Sequence, residues 1–374
     1  MMDDIFHGRV GLQQRVIPSY RAVFLDTLAK TCEGGLSVFA GRPLPKEDIK
    51  PVENLQIARL VHAKNKNFLD PSSSLYMCWQ NGLLKWLEEW QPDALIVEAN
   101  PRYPVTRRAI SWMHQNRRKV IGWGLGAPPI VGPLKRLRQG ERLSMLSSLD
   151  AIISYSRQGA ELYRQLGIPK DKVYVAFNAV DPAPPIPPSQ RTVQLNGKAT
   201  VLFVGRLQSR KRIDILLQAC AALPHELQPD VVIIGDGPAR KEYENLAERI
   251  YPNANFVGAK HGTELEPYYA KADLFVLPGT GGLAIQQAMA HGLPIVVAHG
   301  DGTQNDLVRS ENGWQIPPDD LKALTDILRQ ALSDLVQLRQ MGNASYRIVA
   351  EEINVDKMVE VFIQALNDIH RKKQ

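Results

Sequence analysis

Three junctions between an apolar run and a helical segment carry residues suited to holding a diphosphate. The first is Val204-Gly-Arg-Leu-Gln-Ser-Arg-Lys-Arg-Ile-Asp214, where an apolar run ends at Gly205 and a basic loop leads into a helix. Arg206 and Lys211 stand where the carboxyl end of a strand opens to a ligand. Two cations there bind a diphosphate and stabilise the negative charge that grows as it leaves, without a metal. A solvated basic loop would show the same spacing. The second junction is Pro278-Gly-Thr-Gly-Gly-Leu-Ala-Ile-Gln-Gln-Ala-Met-Ala-His-Gly292. Its glycines let a ligand approach the backbone, and the helix that follows offers free N–H groups and the positive end of its dipole. Gln287, about one turn into that helix, is placed to hydrogen-bond sugar or ribose hydroxyls. A tight turn needed only for packing is the alternative. The third junction, Gly235-Asp-Gly-Pro238, shares part of a dinucleotide-binding fingerprint. Like Gly122-Trp-Gly-Leu-Gly126, it lacks the full glycine spacing, which argues against a Rossmann dehydrogenase.

The first half of the chain offers less. Gly8–Arg21 places Gly11, Arg15, Tyr20 and Arg21 around what reads as a loop entering a helix. Arg15 and Arg21 there either meet phosphate or are ordinary surface charge. Glu98 follows the apolar run Ala94–Val97, at a strand's carboxyl end. A carboxylate in that place binds a sugar hydroxyl or serves as a base, unless it only caps a loop. His291, within a helix and next to Gly292, reads as structural.

These residues need strands and helices to hold them, and the pattern supplies both. After the break at Asp181-Pro-Ala-Pro-Pro-Ile-Pro-Pro-Ser189 comes a regular alternation. Strands are expected at Ala199–Val204, Val231–Ile234, Asn255–Val257, Asp273–Leu277 and Pro294–Ala298. Helices are expected at Ile213–Leu223, Ala239–Ile250, Glu264–Lys271 and Leu283–His291. The strands are continuous apolar runs, as parallel strands covered on both faces require. The first half repeats the rhythm with strands at Leu36–Phe39, Ala94–Val97, Lys119–Gly122 and Ala151–Ser154. Its helices fit Ser19–Lys30, Leu75–Trp90, Thr106–Asn116 and Arg157–Leu166. The reading is α/β: two doubly wound domains, 1–181 and 199–354, joined by a proline-rich linker at 182–198. Ligands are then expected at the carboxyl ends of the strands, in a cleft between the halves.

Bulk properties narrow the function classes. A chain of 374 residues suits two cores, and its longest apolar runs fall well short of the ~20 residues a spanning helix needs. No basic-then-apolar leader opens the sequence. Cys32, Cys78 and Cys220 are odd in number and widely spaced, which fits a reducing, cytoplasmic setting and neither a disulfide framework nor a zinc site. No metal is expected. The sequence contains no His-Glu-x-x-His, Cys-x-x-Cys pair, Walker loop or Gly-x-Ser-x-Gly elbow. The net charge of +6 points to an anionic partner or to a solvated basic surface. Nucleic acid is not expected, since no module for it occurs. The basic stretches Arg107–Lys119 and Lys135–Arg142 would suit peripheral contact with anionic lipid, or an ordinary basic face.

From about Leu149 to Asp320 the sequence resembles the retaining GT-B glycosyltransferases of family 4, the "glycosyl transferases group 1". The resemblance rests on motifs in that family's order. They begin with Leu166-Gly-Ile-Pro169, Asn178-Ala-Val-Asp181 and Val204-Gly-Arg-Leu207 with Lys211. Ile234-Gly-Asp-Gly-Pro238, Phe256-Val-Gly258, Ala272–Pro278, Ala288-Met-Ala-His-Gly-Leu-Pro294 and Asn312-Gly313 complete them. The resemblance implies the GT-B fold, two facing Rossmann-like domains with a deep cleft. It implies a nucleotide diphospho-sugar donor, UDP- or GDP-linked, held by the second domain and by no further cofactor. Arg206 and Lys211 match the pair that binds the donor diphosphate. Gly281, Gly282 and Leu283 match the backbone loop on phosphate and sugar, and Gly205, Gly237, Val257 and Gln287 join the donor side. Glu98 stands where many members carry a histidine. A glycan or lipid-linked saccharide is the implied acceptor, the anomeric configuration is retained, and the last helix, from about Val355, should return to the first domain. The family's two glutamates, eight residues apart, are here Gly279 and Gln287. That departure keeps two other readings in play, a non-catalytic nucleotide-sugar-binding partner subunit and a sugar-nucleotide epimerase.

Overall fold

The computed structural model describes residues 5–47, 49–189, 191–192, 197–281, 283–300 and 302–371. The chain divides into two compact units, 1–182 with 355–374, and 183–354. None of the helices among the described residues is long and apolar enough to cross a membrane.

The first unit runs β1 (Val10–Val16), α1 (Ala22–Lys30), β2 (Leu36–Gly41), β3 (Arg59–Phe68), β4 (Met77–Asn81), α2 (Leu83–Trp90), β5 (Ala94–Glu98), α3 (Pro104–Gln115), β6 (Lys119–Gly124), α4 (Lys135–Ser147), β7 (Ala151–Ser154), α5 (Arg157–Gln165) and β8 (Val173–Val175). Its sheet has the order β4-β3-β2-β1-β5-β6-β7-β8, parallel except for the β3–β4 pair. Apolar side chains fill both faces. Phe24, Leu28 and Trp123 pack on one face with Phe362 and Leu366, and Trp86, Ala109, Met113 and Tyr163 on the other.

The second unit runs β9 (Thr200–Val204), α6 (Ile213–Ala221), β10 (Asp230–Ile234), α7 (Arg240–Ile250), β11 (Ala254–Gly258), α8 (Glu266–Lys271), β12 (Leu274–Leu277), α9 (Leu283–Ala290), β13 (Ile295–Ala298), α10 (Thr303–Leu307), β14 (Gly313–Ile316), α11 (Leu321–Ser333) and α12 (Leu335–Glu351). All six strands are parallel in the order β11-β10-β9-β12-β13-β14. Val201, Phe203, Ile233, Phe275 and Val296 are fully buried, as strands covered on both faces must be. The last helix, α13 (Val355–Arg371), belongs to the first unit, where Phe362 meets Phe24 and Trp123 at ring distances of 5.0 and 5.2 Å.

Two local expectations are corrected. Gly8–Arg21 is not a loop: β1, the strand at which the order of the sheet reverses, occupies Val10–Val16. Gly11 sits inside it because a side chain there would lie 2.9 Å from Trp86 and 3.1 Å from Leu95. Leu75–Trp90 is not one helix. Met77–Asn81 pairs with β3, and Gly82 turns the chain at φ 87° before α2 begins. From 183 onward the proline-rich segment counts with the second unit. Arg191 donates to the carbonyls of Tyr269 (2.7 Å), Ala270 (2.9 Å), Ala272 and His291 (3.0 Å), which fastens it there. Gln190 and 193–196 lie outside the described residues.

Candidate functional site

In the second unit the strand order reverses between β9 and β12, so the loops that follow these strands diverge and leave a crevice at their carboxyl ends. The loop after β9 begins at Gly205, exposes Arg206 and closes with a single 3-10 turn over Ser209–Lys211. Lys211 is 9% exposed, and its ammonium donates to the Thr280 carbonyl at 2.6 Å. Arg210 donates to the Thr280 hydroxyl at 3.1 Å, and the Thr280 N–H donates to the Arg210 carbonyl at 3.1 Å. A side chain at Gly281 would overlap the Lys211 Nζ, and one at Gly279 would overlap the Arg210 and Lys211 backbone. Two loops about 70 residues apart in sequence are thereby laced around one cation. Burial, and then the neighbouring Arg210 charge, push Lys211 down to about 8. It still carries its proton at neutral pH, and it faces a neutral carbonyl where a carboxylate would have cancelled its charge. A cavity of about 340 Å³ opens beside it, lined by Arg210, Arg212, Gly279, Thr280 and His299.

The first unit also reverses its order, between β1 and β5. Glu98, at the end of β5, accepts from the Arg15 N–H at 3.1 Å and from the Tyr103 hydroxyl at 3.2 Å. Burial raises its pKa above the ordinary carboxylate value, against the Arg15 N–H, the Arg15 charge and Tyr103. It lines a cavity of about 450 Å³ with Asn100, Trp123, Arg142 and Tyr155. The two nearby arginines have structural roles. Arg15 is clamped by Glu47 through two bonds of 3.0 and 2.6 Å. Arg21 is 5% exposed, donates to Asn178 at 2.6 Å, and stacks against Tyr20, Trp123 and Tyr155. Arg15 is thus engaged by Glu47 and Arg21 by Asn178 and three rings, Tyr20 among them.

The family model described as "Glycosyl transferases group 1" matches residues 198–334. Over those residues the chain is similar to the group 1 glycosyltransferases. Relatives more than 30% identical match over shorter stretches, two of them as follows. The GDP-mannose-dependent alpha-mannosyltransferase of Corynebacterium glutamicum is 36% identical over 175 residues, 44% of this chain and 40% of that protein. The sulfoquinovosyl transferase SQD2 of Arabidopsis thaliana is 31% identical over 154 residues, 40% of this chain and 29% of that protein. The chain thus spans less than half the length of these two relatives. A longer match is the D-inositol 3-phosphate glycosyltransferase of Xylanimonas cellulosilytica, 27% identical over 77% of this chain and 70% of that protein. Among solved structures, sucrose-phosphate synthase from Thermosynechococcus elongatus superposes with a TM-score of 0.71 at 17% identity, covering 97% of this chain and 99% of the other. Anabaena HepE in complex with UDP gives 0.68 at 15%, covering 96% and 99%. Likenesses at such identities are of fold, and the fold is that of the GT-B glycosyltransferases.

Within the matched stretch the expected residues take distinct positions. Arg206, Lys211 and Gly281 gather at the switch point, and Leu283 opens α9 just beyond it. Gly282 lies outside the described residues. Gly237 is a buttress: at φ 157° any side chain would overlap the Leu207 carbonyl, and Gly235 stands the same way against Gly205. The turn supports the basic loop through Leu207 N–H to Asp236 O and Gly205 N–H to Ile234 O, both 2.9 Å. Val257 is on the edge strand β11, with β10 between it and β9. Gln287 accepts from the Tyr269 hydroxyl at 3.4 Å, so its side chain is engaged toward α8. Two contributors escaped the sequence reading. Thr280 provides both the carbonyl and the hydroxyl that hold the cations. Gln304, 3% exposed, donates to the Gly281 carbonyl at 3.3 Å and steadies that loop. A threonine among glycines and a glutamine in a short helix carry no local signal of such roles.

Proposed function

We propose that the chain is a retaining glycosyltransferase that moves a hexose-type sugar from a UDP- or GDP-linked donor to a glycan or glycolipid acceptor, without a metal. The observation that carries this reading is the buried Lys211 ammonium laced to the glycine loop beside Arg206. The relative named for GDP-mannose and the structural neighbour holding UDP support the donor class. In this reading the donor diphosphate replaces the Thr280 carbonyl as partner of Lys211, with Arg206 and the N–H groups opening α9 on its remaining oxygens. As the bond from the anomeric carbon to the phosphate oxygen breaks, charge grows on that oxygen. A cation in a water-poor site stabilises it far more than one in bulk water does. The acceptor oxygen bonds the anomeric carbon on the face the diphosphate leaves, and the acceptor proton passes to the departing phosphate. Glu98 binds an acceptor hydroxyl.

A thermal-shift series with UDP-, GDP-, ADP- and TDP-sugars, with and without magnesium, tests this directly. A ligand that binds only the folded state adds about 2.7 kcal/mol at a hundredfold excess over Kd. A shift with one nucleotide family, unchanged by magnesium and reduced in Lys211→Met, is the expected result. No shift with any nucleotide would overturn the donor site. Binding with no turnover on any acceptor would instead make the chain a non-catalytic partner subunit.

A further inference from the structure

The first unit holds a second cavity, of about 500 Å³, that shares Asn100, Pro101, Arg102 and Arg142 with the Glu98 cavity. The two differ in chemistry. The Glu98 cavity mixes Glu98 and Asn100 with aromatic rings, whereas Leu69, Leu75, Met77, Ile130 and Leu134 wall the second. Four of these walls are also open to solvent: Leu69 is 63% exposed, Leu134 60%, Met77 46% and Leu75 37%. Leu69 and Leu134 hold their backbones at φ 66° and 56°, in the left-handed region that a leucine disfavours. Both therefore keep a strained backbone while presenting an apolar side chain to the cavity, one after β3 and one before α4. Such strain persists only where the surrounding structure imposes it, and it clusters at ligand clamps.

The rim is cationic. Arg102, Arg107, Arg138 and Arg142 line it against the single carboxylate of Glu141, a formal balance of 4 − 1 = +3. Glu141 is already paired with Arg107. Arg138 and Arg142 each spend one N–H on a loop carbonyl, of Val131 at 3.0 Å and Pro128 at 2.6 Å, and a guanidinium has five donors. Burial, with the Arg138 and Arg102 charges close by, lowers the pKa of Arg142, so these cations crowd one another.

We propose that this cavity binds one molecule of an anionic amphiphile. Its apolar chain lies along Leu69, Leu75, Met77, Ile130 and Leu134, and its acidic group lies among Arg102, Arg138 and Arg142. The volume is of the size that takes a single small ligand. The charge complements an acid or phosphate, with guanidinium N–H groups for its oxygens. A neutral amphiphile would leave three crowded cations uncompensated. Asn100 and Arg102 line both cavities, so an acidic group among the arginines lies beside the cavity of Glu98, which makes the amphiphile the acceptor. That last step rests on the transferase reading, whereas binding itself does not.

The test is calorimetric titration of the full chain with decyl phosphate below its micelle concentration, beside decyl maltoside and inorganic phosphate. Saturable one-to-one binding of decyl phosphate is expected, at least tenfold tighter than either comparator. In Leu69→Asn/Leu134→Asn the affinity should fall tenfold or more while the melting temperature holds or rises, because asparagine tolerates the left-handed backbone. Arg138→Gln should narrow the gap between decyl phosphate and decyl maltoside. Equal binding of the two detergents, or an undiminished affinity in the double variant, would overturn the proposal. So would binding to phosphatidylglycerol vesicles alone, since that would make this face a bilayer contact. The nucleotide-sugar shift, read on the same samples, separates failure of this cavity from failure of the donor site.

Discussion

The two switch points of the molecule share a topology and differ in chemistry. In each unit the loops diverge from a point where strand order reverses, between β1 and β5 in one and between β9 and β12 in the other. In the first, Glu47 clamps Arg15, and the carboxyl of Glu98 faces a cavity that Arg102 and Arg142 also line. In the second, Lys211 is buried against a carbonyl, with another positive charge as its neighbour. Burial pushes both groups toward neutrality, the carboxylate upward and the lysine downward. A site that holds a buried cation without a carboxylate is stabilised by an anionic ligand. A site that holds a hydrogen-bonded carboxyl is suited to hydroxyls. One fold, used twice, thus sets a buried cation at one switch point and a hydrogen-bonded carboxyl at the other.

The strongest way to break this comparison is to remove the lysine charge and keep its shape. Lys211→Met should lower the transfer rate by about 10²–10³-fold, the usual loss when one preorganised donor to a developing anion is removed. Circular dichroism should be unchanged, and initial rates at saturating donor give the loss. A loss of twofold or less would place the charge-stabilising group elsewhere. Gly281→Ala tests the lacing around the lysine. Its Cβ would occupy the position of the Lys211 Nζ, and the backbone stands at φ 121°. We expect about 1–3 kcal/mol of lost stability by urea denaturation. Donor affinity should fall with it, more than in Gly140→Ala, where a side chain meets nothing within 4 Å.

How much of this was legible in the sequence follows from what each element is buried against. Val201–Val204, Val231–Ile234, Leu274–Leu277 and Ile295–Ala298 could be read because strands covered on both faces need continuous apolar runs. β1 could not, although it is no less buried. Gln13 and Gln14 interrupt its apolar run, and they are tolerated inside because Gln80 bonds the Gln13 side chain and the Gln14 carbonyl. A partner 66 or 67 residues away has no local trace. The same holds at the site. The strand-end position of Arg206 and Lys211 was readable from a local motif. The burial of Lys211 was not, because it depends on Thr280 and Gly281. Arg15 and Arg21 misled for that reason too, one claimed by Glu47 and the other by three rings and Asn178.

Glu98→Gln sharpens the other side of the comparison. The amide keeps a hydrogen bond for an acceptor hydroxyl and loses the charge-assisted part of it, which contributes about 1 kcal/mol more. Transfer should fall about fivefold, through KM for the acceptor, with donor affinity unchanged. A matching loss of donor affinity would mean that the two switch points do not divide the work.

The smallest effect is also the most discriminating, because affinity and stability should respond to pH in opposite directions. With Lys211 at about 8, its charged fraction falls by about twofold between pH 7 and pH 8, and by tenfold for each unit well above that. Donor affinity should therefore decline as pH rises through 8, with little change between pH 6 and 7. The ligand-free protein should behave otherwise. Lys211 is lowered from 10.5, so between about 8 and 10.5 the unfolded chain holds a proton there that the folded chain has released. Stability must then rise with pH across that window, because the penalty of burying the charge is present below 8 and relieved above it. Urea midpoints at pH 7.5 and 9.5, compared between the native chain and Lys211→Met, isolate this one group from the other titrating residues. A rise in the native chain that is absent from the variant is the expected result. Parallel curves would mean that Lys211 is solvated in solution, and the electrostatic contrast between the two switch points would be lost.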